Sequence, residues 1–334
     1  MGDDGIRDAV ARLGVEQGFS GVVSVDRDGE VLALAAAGWA DRRWGIENTP
    51  STRFGVASGT KLLTAIVVVS LVEQGRLALT TTAREVLGAD LPLIAADVTV
   101  EQLLCHRSGI GDYLDETLYD DIADFELPVP AQRLSTTTAY LEVVDGHPMV
   151  SAPGERFDYN NGAYVVLAVI AERVAGESFY DLVARVVCEP AGLTSTEFLR
   201  SDALPEGAAL GYLDAEGLRT NVFHLPVRGS GDGGVCTTAA DVSRLWRSFV
   251  DGGYYCKTAE NRLLVGPTPV AGLHLMCGLS GYGIMAAAAA AELLGAAVTD
   301  AALPEYAAEF RLDRYDDPAY QARLARGEFA SGQL

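Results

Sequence analysis

The chain has 334 residues, of which 49% are hydrophobic, and a formal net charge of −21 at pH 7. Its length and apolar content suit one large domain, or one domain with an appendage, around a sizeable core. The negative charge argues against nucleic-acid binding, because phosphate recognition depends on clustered positive charge, and no apolar run reaches the roughly 18 residues of a membrane-spanning helix.

The first residues and the cysteines bear on where the protein works. Residues 1–5 carry two aspartates where a secretory signal would place positive charge before an apolar stretch, so we predict a cytoplasmic protein. The cysteines are odd in number and lack any C-x-x-C spacing, which is typical of reduced thiols rather than of disulfides or a zinc site. We therefore expect no structural metal. The five cysteines are Cys105, Cys188, Cys236, Cys256 and Cys277.

The amino-terminal part of the chain predicts a helix followed by a hairpin. Residues 4–16 place apolar side chains at roughly helical spacing, which indicates an amphipathic helix. The β-rich runs 21–25 and 31–36 flank an Asp-Gly step at Asp28-Gly29, a strong hairpin signal.

A long apolar helix is predicted next, over residues 60–74. Gly75 ends the apolar run, and Ser58 lies just before its amino-terminal end. The continuous apolarity predicts that this helix is buried in the centre of the protein. From about residue 112 to residue 153 the pattern is mixed, and we expect a partly helical excursion that lines a cleft.

Candidate helix-cap residues occur further along the chain. Asn160 or Asn161 can cap a helix that runs to Gly176, and Thr238 can cap another over residues 239–250. Together with the hairpin, these elements predict an α+β fold in which an antiparallel sheet is flanked by helices and the middle of the chain is rich in helix.

The strongest signal for chemistry is an S-x-x-K pattern, Ser58 to Lys61, at the start of the buried helix. Residues three apart share a helix face, so Lys61 is expected beside the Ser58 hydroxyl, where a buried lysine can take the proton that the nucleophile must lose. Backbone N–H groups at the helix start can stabilise an oxyanion. The alternative is a plain helix cap with a solvated lysine. Only Lys61 and Lys257 are lysines in this chain, which makes the position of Lys61 informative.

A second pattern, Y-x-N at Tyr159 to Asn161, stands at a predicted loop-to-helix junction. A nearby ammonium makes a phenol easier to ionise, so Tyr159 can relay a proton between nucleophile and leaving group. The amide of Asn161 can either bind a substrate carbonyl or hold Lys61 in place. By itself, Y-x-N is more often a core tyrosine followed by a helix cap. Paired with S-x-x-K, it becomes specific.

Together with two further segments, these motifs resemble the serine β-lactamase-like superfamily over residues 6–257. The segments are the L-L-x-H-x-S-G turn at residues 103–109 and the G-G-x-x-T-T-A-x-D helix entry at residues 233–241. The likeness is to class C β-lactamases, family VIII esterases, D-aminopeptidases and penicillin-binding proteins. It implies a β-lactamase/transpeptidase-like fold. In that turn, His106 is more often structural than catalytic.

The resemblance also implies roles for the motif residues. Ser58 corresponds to the acylated serine, Lys61 to its partner and Tyr159 to the general base. Asn161 is the third residue of the second motif, and we predict that it contacts the substrate. The implied reaction is acyl transfer through an acyl-Ser58 intermediate on an ester, amide or β-lactam carbonyl, followed by hydrolysis.

The carboxy-terminal part departs from that family. A third motif, K-T-G or H-x-G, is not found: Lys257-Thr258-Ala259 and His274-Leu275-Met276 both lack the glycine. Residues 261–318 instead resemble the carboxy-terminal end of FAD-dependent D-amino-acid and glycine oxidases. We therefore predict a hydrolase domain over residues 1–257 and an atypical tail over residues 258–334. A second interpretation treats two apolar runs of the tail, 263–265 and 273–276, as strands that replace missing sheet partners.

Three functions compete. An acyl-serine hydrolase acting on a small molecule or peptide is favoured, with activity weakened by the missing motif. A non-catalytic binder of a peptide or acyl compound is the alternative. An FAD oxidoreductase is remote, because the chain lacks the G-x-G-x-x-G dinucleotide fingerprint that follows an amino-terminal strand, and we predict no bound flavin or other cofactor. The sequence leaves the oligomeric state open.

Overall fold

The computed structural model describes residues 18–27, 30–115, 125–214, 216–249, 264–268, 274–277, 293–299 and 301–326, with residues 5, 8–10, 12, 16 and 290 in addition. The chain divides into two compact units, Met1–Asp251 and Gly252–Leu334. Each unit has its own hydrophobic core.

The strands of the first unit form short antiparallel pairs. β1 (Gly21–Arg27) and β2 (Glu30–Ala37) make the predicted hairpin, with a register irregularity between Val25 and Asp26. β3 (Trp39–Asp41) pairs with β4 (Ile46–Glu47), and β5 (Phe54–Gly55) pairs with β6 (Cys236–Thr237). In the part of the chain that the structure describes, each sheet has two strands.

Helices make up much of the first unit. Their bounds are α1 Thr60–Glu73, α2 Ala83–Leu87, α3 Val100–Leu104, α4 Leu141–Val144, α5 Asn161–Ala175, α6 Phe179–Val183, α7 Glu189–Ala191 and α8 Ala239–Phe249. The predicted helices after Ser58, Asn160 and Thr238 are therefore confirmed. Gly176 ends α5 with a φ of +73°, a conformation that suits glycine.

The core of the first unit contains the long helices α1 and α5, which pack against each other. Val67, Val68 and Leu71 of α1 are fully buried. In α5 every residue from Asn161 to Ala171 is buried. Burial on all sides indicates that this helix lies in the centre of the unit. Because this core immobilises both helices, side chains at their amino-terminal ends are held in fixed positions.

The second unit is built on a hairpin of β7 (Leu264–Pro267) and β8 (His274–Cys277), whose strands pair with each other. Residues 264–265 and 274–276 of the two apolar runs therefore lie in strands, and His274 begins the second strand. Residues 293–298 are helical, and α9 covers Pro318–Ala325. The segment Lys257-Thr258-Ala259 lies outside the described residues. Among the helices described in either unit, none has both the length and the apolarity needed to cross a bilayer.

Candidate active site

Ser58 lies in a tight turn between β5 and α1. The turn, Ala57–Gly59, is 3-10 helical, and α1 starts directly after it. The N–H of Val56 donates to the carbonyl of Val235 at 2.9 Å. This hydrogen bond extends the pairing of β5 with β6 to the residue that precedes the turn. Ala57 has a φ of +43°, a strained conformation for a residue with a side chain and one that clusters at functional sites. The backbone therefore presents Ser58 at the beginning of a helix.

Lys61 is 6% exposed and contacts three oxygen atoms. Its Nζ donates to Ser58 Oγ at 3.0 Å, to Asn161 Oδ1 at 2.8 Å and to the backbone carbonyl of Asp232 at 2.8 Å. A lysine ammonium has three N–H donors, so every donor has an acceptor. Lys61 is therefore a buried, fully hydrogen-bonded partner of the serine, and the solvated-lysine alternative is wrong.

Tyr159, the first residue of the second motif, contacts Ser58. Its hydroxyl lies 2.8 Å from Ser58 Oγ, and Lys61 Nζ lies 4.9 Å from the centre of its ring. The side chain of Tyr159 is 43% exposed, so the serine faces solvent on this side. The structure thus brings together Ser58, Lys61 and Tyr159, which are up to 101 positions apart in sequence.

Asn161 lies behind Lys61 and is 2% exposed. Its Oδ1 accepts from Lys61 Nζ at 2.8 Å, and its Nδ2 donates to the carbonyl of Leu114 at 2.8 Å. Both polar ends of the side chain are used within the protein. Of the two roles considered for this amide, holding Lys61 is the one for which the structure contains contacts.

Two side chains hold the start of α5 and thereby Tyr159 and Asn161. Asn160 is the N-cap: its Oδ1 accepts from Ala163 N at 2.7 Å, and its Nδ2 donates to Ile110 O at 2.9 Å. Asp112 accepts from two backbone N–H groups of the first helical turn, at 2.7 and 2.9 Å. Burial raises the pKa of Asp112, and these N–H donors oppose the rise.

His106 supports Tyr159 from the side. Its ring lies between Tyr159 and Tyr164, with centroid distances of 4.6 and 4.9 Å. Its Nδ1 accepts the backbone N–H of Asn160 at 3.1 Å, which requires an unprotonated nitrogen. Burial lowers the pKa of His106, and the charge of Lys61 lowers it further. These are the contacts of a structural histidine.

Sequence reasoning missed a buried acidic residue, Asp232, whose backbone carbonyl accepts from Lys61 Nζ. Asp232 is 7% exposed, and its Oδ2 accepts from the hydroxyl of Tyr113 at 2.6 Å. Burial raises the pKa of Asp232 to about 6, while the Tyr113 hydrogen bond and the charge of Lys61 oppose that rise. Burial also raises the pKa of Tyr113 well above its usual value, so Tyr113 remains a neutral donor. An acidic residue within the glycine-rich run 229–234 was the available signal.

The described residues also bear on metal binding and thiol chemistry. Among them, no group of three or more histidine, cysteine or acidic side chains could hold a metal ion. Cys105, Cys188 and Cys236 are free thiols, and burial raises the pKa of Cys188 to about 11.

Replacing Asn160 with alanine is expected to lower the free energy of unfolding by about 1–3 kcal/mol, because the helix loses its cap and the buried Ile110 carbonyl loses its donor. Urea denaturation measures this loss. Ser178→Ala is the control, since Ser178 caps α6 from a more exposed position, and about 1 kcal/mol or less is expected there. Equal losses in the two variants would contradict the argument from burial.

The raised pKa of Asp232 predicts that its contribution to stability falls as pH rises. Because the folded value of about 6 exceeds the ordinary 3.8, the contribution is fully present below the lower value and lost as pH rises through the upper one. The difference corresponds to about 3 kcal/mol. Relative to wild type, Asp232→Asn should therefore gain about 3 kcal/mol in free energy of unfolding between about pH 3 and about pH 7. Urea denaturation across that range tests this, and parallel curves would contradict it.

Comparison with known proteins agrees with this geometry. A family model described as Beta-lactamase matches residues 6–298. The chain is 32% identical over 210 residues to Esterase EstB of Burkholderia gladioli, covering 58% of this chain and 50% of the relative. It is 29% identical over 260 residues to a D-aminopeptidase of Brucella anthropi, covering 75% of this chain and 46% of the relative. The chain thus spans about half the length of these curated relatives.

A solved structure supports the same assignment. The crystal structure of a penicillin binding protein from Bacillus halodurans superimposes with a TM-score of 0.67 at 36% sequence identity, covering 72% of this chain and 73% of that one. This likeness confirms the predicted β-lactamase/transpeptidase-like fold. With the family model matching most of its length, the chain belongs to the beta-lactamase family.

Proposed function

We propose that this protein is a serine hydrolase that transfers an acyl group from an ester or amide of a small molecule or peptide to Ser58 and then to water. One observation carries the proposal: Ser58 Oγ has Lys61 Nζ at 3.0 Å and the Tyr159 hydroxyl at 2.8 Å. These are distances at which a proton can pass between the groups. A serine used only as a helix cap has no need of two acid–base neighbours within hydrogen-bond distance.

In the proposed reaction, Tyr159 acts as a phenolate that the Lys61 ammonium stabilises. Tyr159 accepts the Ser58 proton as Oγ attacks the carbonyl carbon, and the carbonyl electron pair moves to its oxygen, which the Ser58 backbone N–H stabilises. The proton on Tyr159 then passes to the leaving group as its bond to carbon breaks. A water molecule repeats these steps on the acyl-Ser58 ester and releases the acid.

In this proposal Asn161 holds Lys61 through Oδ1, and its contact with the substrate remains a prediction. His106 and Asn160 position Tyr159. The predicted loss of a second oxyanion donor, from the missing K-T-G or H-x-G motif, would reduce turnover by about 100- to 1,000-fold.

The names of the relatives support ester or amide substrates. One is an esterase, another a D-aminopeptidase and a third a penicillin binding protein. Four further features are predicted from the sequence. They are a β-lactam substrate, a cytoplasmic location, a domain boundary at residue 257 and the likeness of residues 261–318 to FAD-dependent oxidases.

Covalent labelling tests the proposed function. The purified protein is incubated with a p-nitrophenyl ester series, a fluorophosphonate and a labelled penicillin, and its intact mass is measured. We expect an added acyl or phosphonyl mass, mapped by peptide sequencing to residue 58, together with release of nitrophenol. A ligand-dependent thermal shift with no covalent mass and no product would overturn the proposal in favour of the non-catalytic binder.

A further inference from the structure

The turn that presents Ser58 contains one strained residue. Ala57 has a φ of +43°, and a residue with a side chain keeps such a conformation only where surrounding contacts impose it. Ser58 follows directly, and its backbone N–H is the donor that stabilises the oxyanion in the proposed reaction. The contacts that fix Ala57 therefore also fix the direction of that donor.

The side chain of Thr60 contacts this turn from the interior of the protein. Thr60 is fully buried, and its Oγ1 donates to the carbonyl of Ala57 at 2.8 Å. The backbone N–H of Thr60 donates to the same carbonyl. Oγ1 also accepts the N–H of Val235 at 3.1 Å. A single hydroxyl group thus joins the strained turn, the first residue of α1 and the residue that precedes β6.

The geometry of the peptide bond links this contact to the Ser58 N–H. The peptide between Ala57 and Ser58 is trans, so its C=O and its N–H lie in one plane and point in opposite directions. Thr60 holds the C=O toward the buried start of α1. The N–H of Ser58 consequently points away from Thr60, and any rotation of this peptide group would change the direction in which the N–H donates.

The other partner of the hydroxyl, Val235, belongs to a segment that is held in place. Its carbonyl accepts from Val56 N at 2.9 Å. Earlier in the segment, Thr64 of α1 donates its hydroxyl to the carbonyl of Gly231 at 2.7 Å. A Cβ added to Gly231 would lie 2.2 Å from a carbonyl oxygen of α5, so only glycine permits this close approach. Thr60 therefore ties the turn to a part of the backbone whose position is set by packing.

Both hydrogen bonds of the Thr60 hydroxyl are shielded from solvent, because Thr60 and Val235 are buried. Water cannot replace a partner that is lost in such a place. Without the hydroxyl, the Val235 N–H would have no acceptor from Thr60, and the Ala57 carbonyl would keep only the backbone donor. The strained turn would lose part of its support, and a small displacement of Ser58 is enough to slow a reaction that depends on exact placement.

We propose that Thr60 is a positioning residue whose hydroxyl directs the Ser58 N–H toward the oxyanion by holding the Ala57 carbonyl. The inference deepens the proposed function and rests on it, since it concerns the oxyanion donor of the same site. Thr60 transfers no proton and acts on Ser58 only through the backbone. The residue that the S-x-x-K pattern leaves unspecified before its lysine thus has a function in this chain.

Paired substitutions at Thr60 test this role. Thr60→Val keeps the shape of the side chain and removes the hydroxyl, whereas Thr60→Ser keeps the hydroxyl. With a p-nitrophenyl ester as substrate, we expect Thr60→Val to lower kcat about 10- to 100-fold with KM within about twofold of wild type. Thr60→Ser should restore kcat to within about threefold of wild type. Thr60→Ala removes the same hydroxyl and replaces the valine variant if that variant does not fold.

A thionoester separates the loss of oxyanion stabilisation from a general loss of activity. It has sulfur in place of the carbonyl oxygen, and sulfur is a weak hydrogen-bond acceptor. A well-directed N–H donor therefore accelerates hydrolysis of the oxygen ester more than that of the thionoester. In Thr60→Val we expect the ratio of the two kcat values, oxygen ester to thionoester, to fall about tenfold. A defect that only loosens the fold lowers both rates by the same factor.

Thr52→Val is the matched control. Thr52 is also buried, and its Oγ1 accepts the N–H of Thr49 at 2.8 Å in a turn that precedes β5. Its loss should lower the urea midpoint and leave kcat within about twofold of wild type.

Three results would overturn the positioning role while wild type is active: wild-type kcat in Thr60→Val, an equal loss in Thr60→Ser, or an unchanged ratio of the two ester rates. A wild-type protein that neither hydrolyses an ester nor takes a label at Ser58 would overturn the proposed function, and this inference with it.

Discussion

Replacing Ser58 with alanine is expected to abolish covalent labelling and to reduce ester hydrolysis by on the order of 10⁴-fold or more, because it removes the proposed nucleophile. The loss should lie in kcat, since the Lys61 and Tyr159 side chains remain. Intact-mass measurement after incubation with a fluorophosphonate reads out the labelling, and release of nitrophenol from a p-nitrophenyl ester reads out the hydrolysis.

Ser70→Ala is the matched control for Ser58→Ala. Ser70 lies on the same helix, is half-buried, and accepts a hydrogen bond from the side chain of Gln74 at 2.9 Å. Its loss should change neither labelling nor turnover. Labelling that persists in Ser58→Ala at the wild-type level would show that another nucleophile carries the acyl group.

Replacing Tyr159 with phenylalanine should reduce kcat by about 100- to 10,000-fold, the range for a lost general acid–base group. The variant removes only the hydroxyl that lies 2.8 Å from Ser58 Oγ. The ring can keep its stacking on His106 and its contact with Lys61, whose distances are 4.6 and 4.9 Å. Stability should therefore change little. Single-turnover acylation by a p-nitrophenyl ester measures the affected step.

Tyr164→Phe provides the comparison for Tyr159→Phe. Tyr164 also stacks on His106, but its hydroxyl donates to the Leu104 carbonyl at 3.0 Å. We expect a modest loss of stability and turnover within a few-fold of wild type. Equal losses of turnover in the two variants would indicate that the aromatic stack matters and that the phenol of Tyr159 transfers no proton.

The part of the site that could be predicted consists of residues that lie close together in sequence. Ser58 and Lys61 meet because one helical turn separates them, and the continuous apolarity after Lys61 predicts that this turn is buried. Tyr159 and Asn161 stand on either side of the helix cap Asn160, which is a local signal as well. Their convergence on Ser58 followed only from the family resemblance, because nothing within either motif encodes the distance between them.

The Asp232 and Tyr113 pair could not be predicted in the same way. These two residues are 119 positions apart, and Asp232 is 171 positions from Lys61. Neither belongs to a pattern with a fixed spacing. Their contact depends on a glycine approaching the backbone of α5 to a distance that no side chain allows. Only the folded chain contains that information.

By itself, the sequence determined the elements and the chemistry that act over a few residues: the hairpin, the capped helices, and the nucleophile beside its lysine. The tertiary structure decided which acceptors Lys61 uses, that Asn161 is hydrogen-bonded through both Oδ1 and Nδ2, and that the Asp232 carboxyl group is buried against Tyr113. The physical reason is the separation along the chain over which each effect acts. Propensity, capping and helix periodicity are local, whereas burial and charge pairing depend on packing between segments that are far apart along the chain.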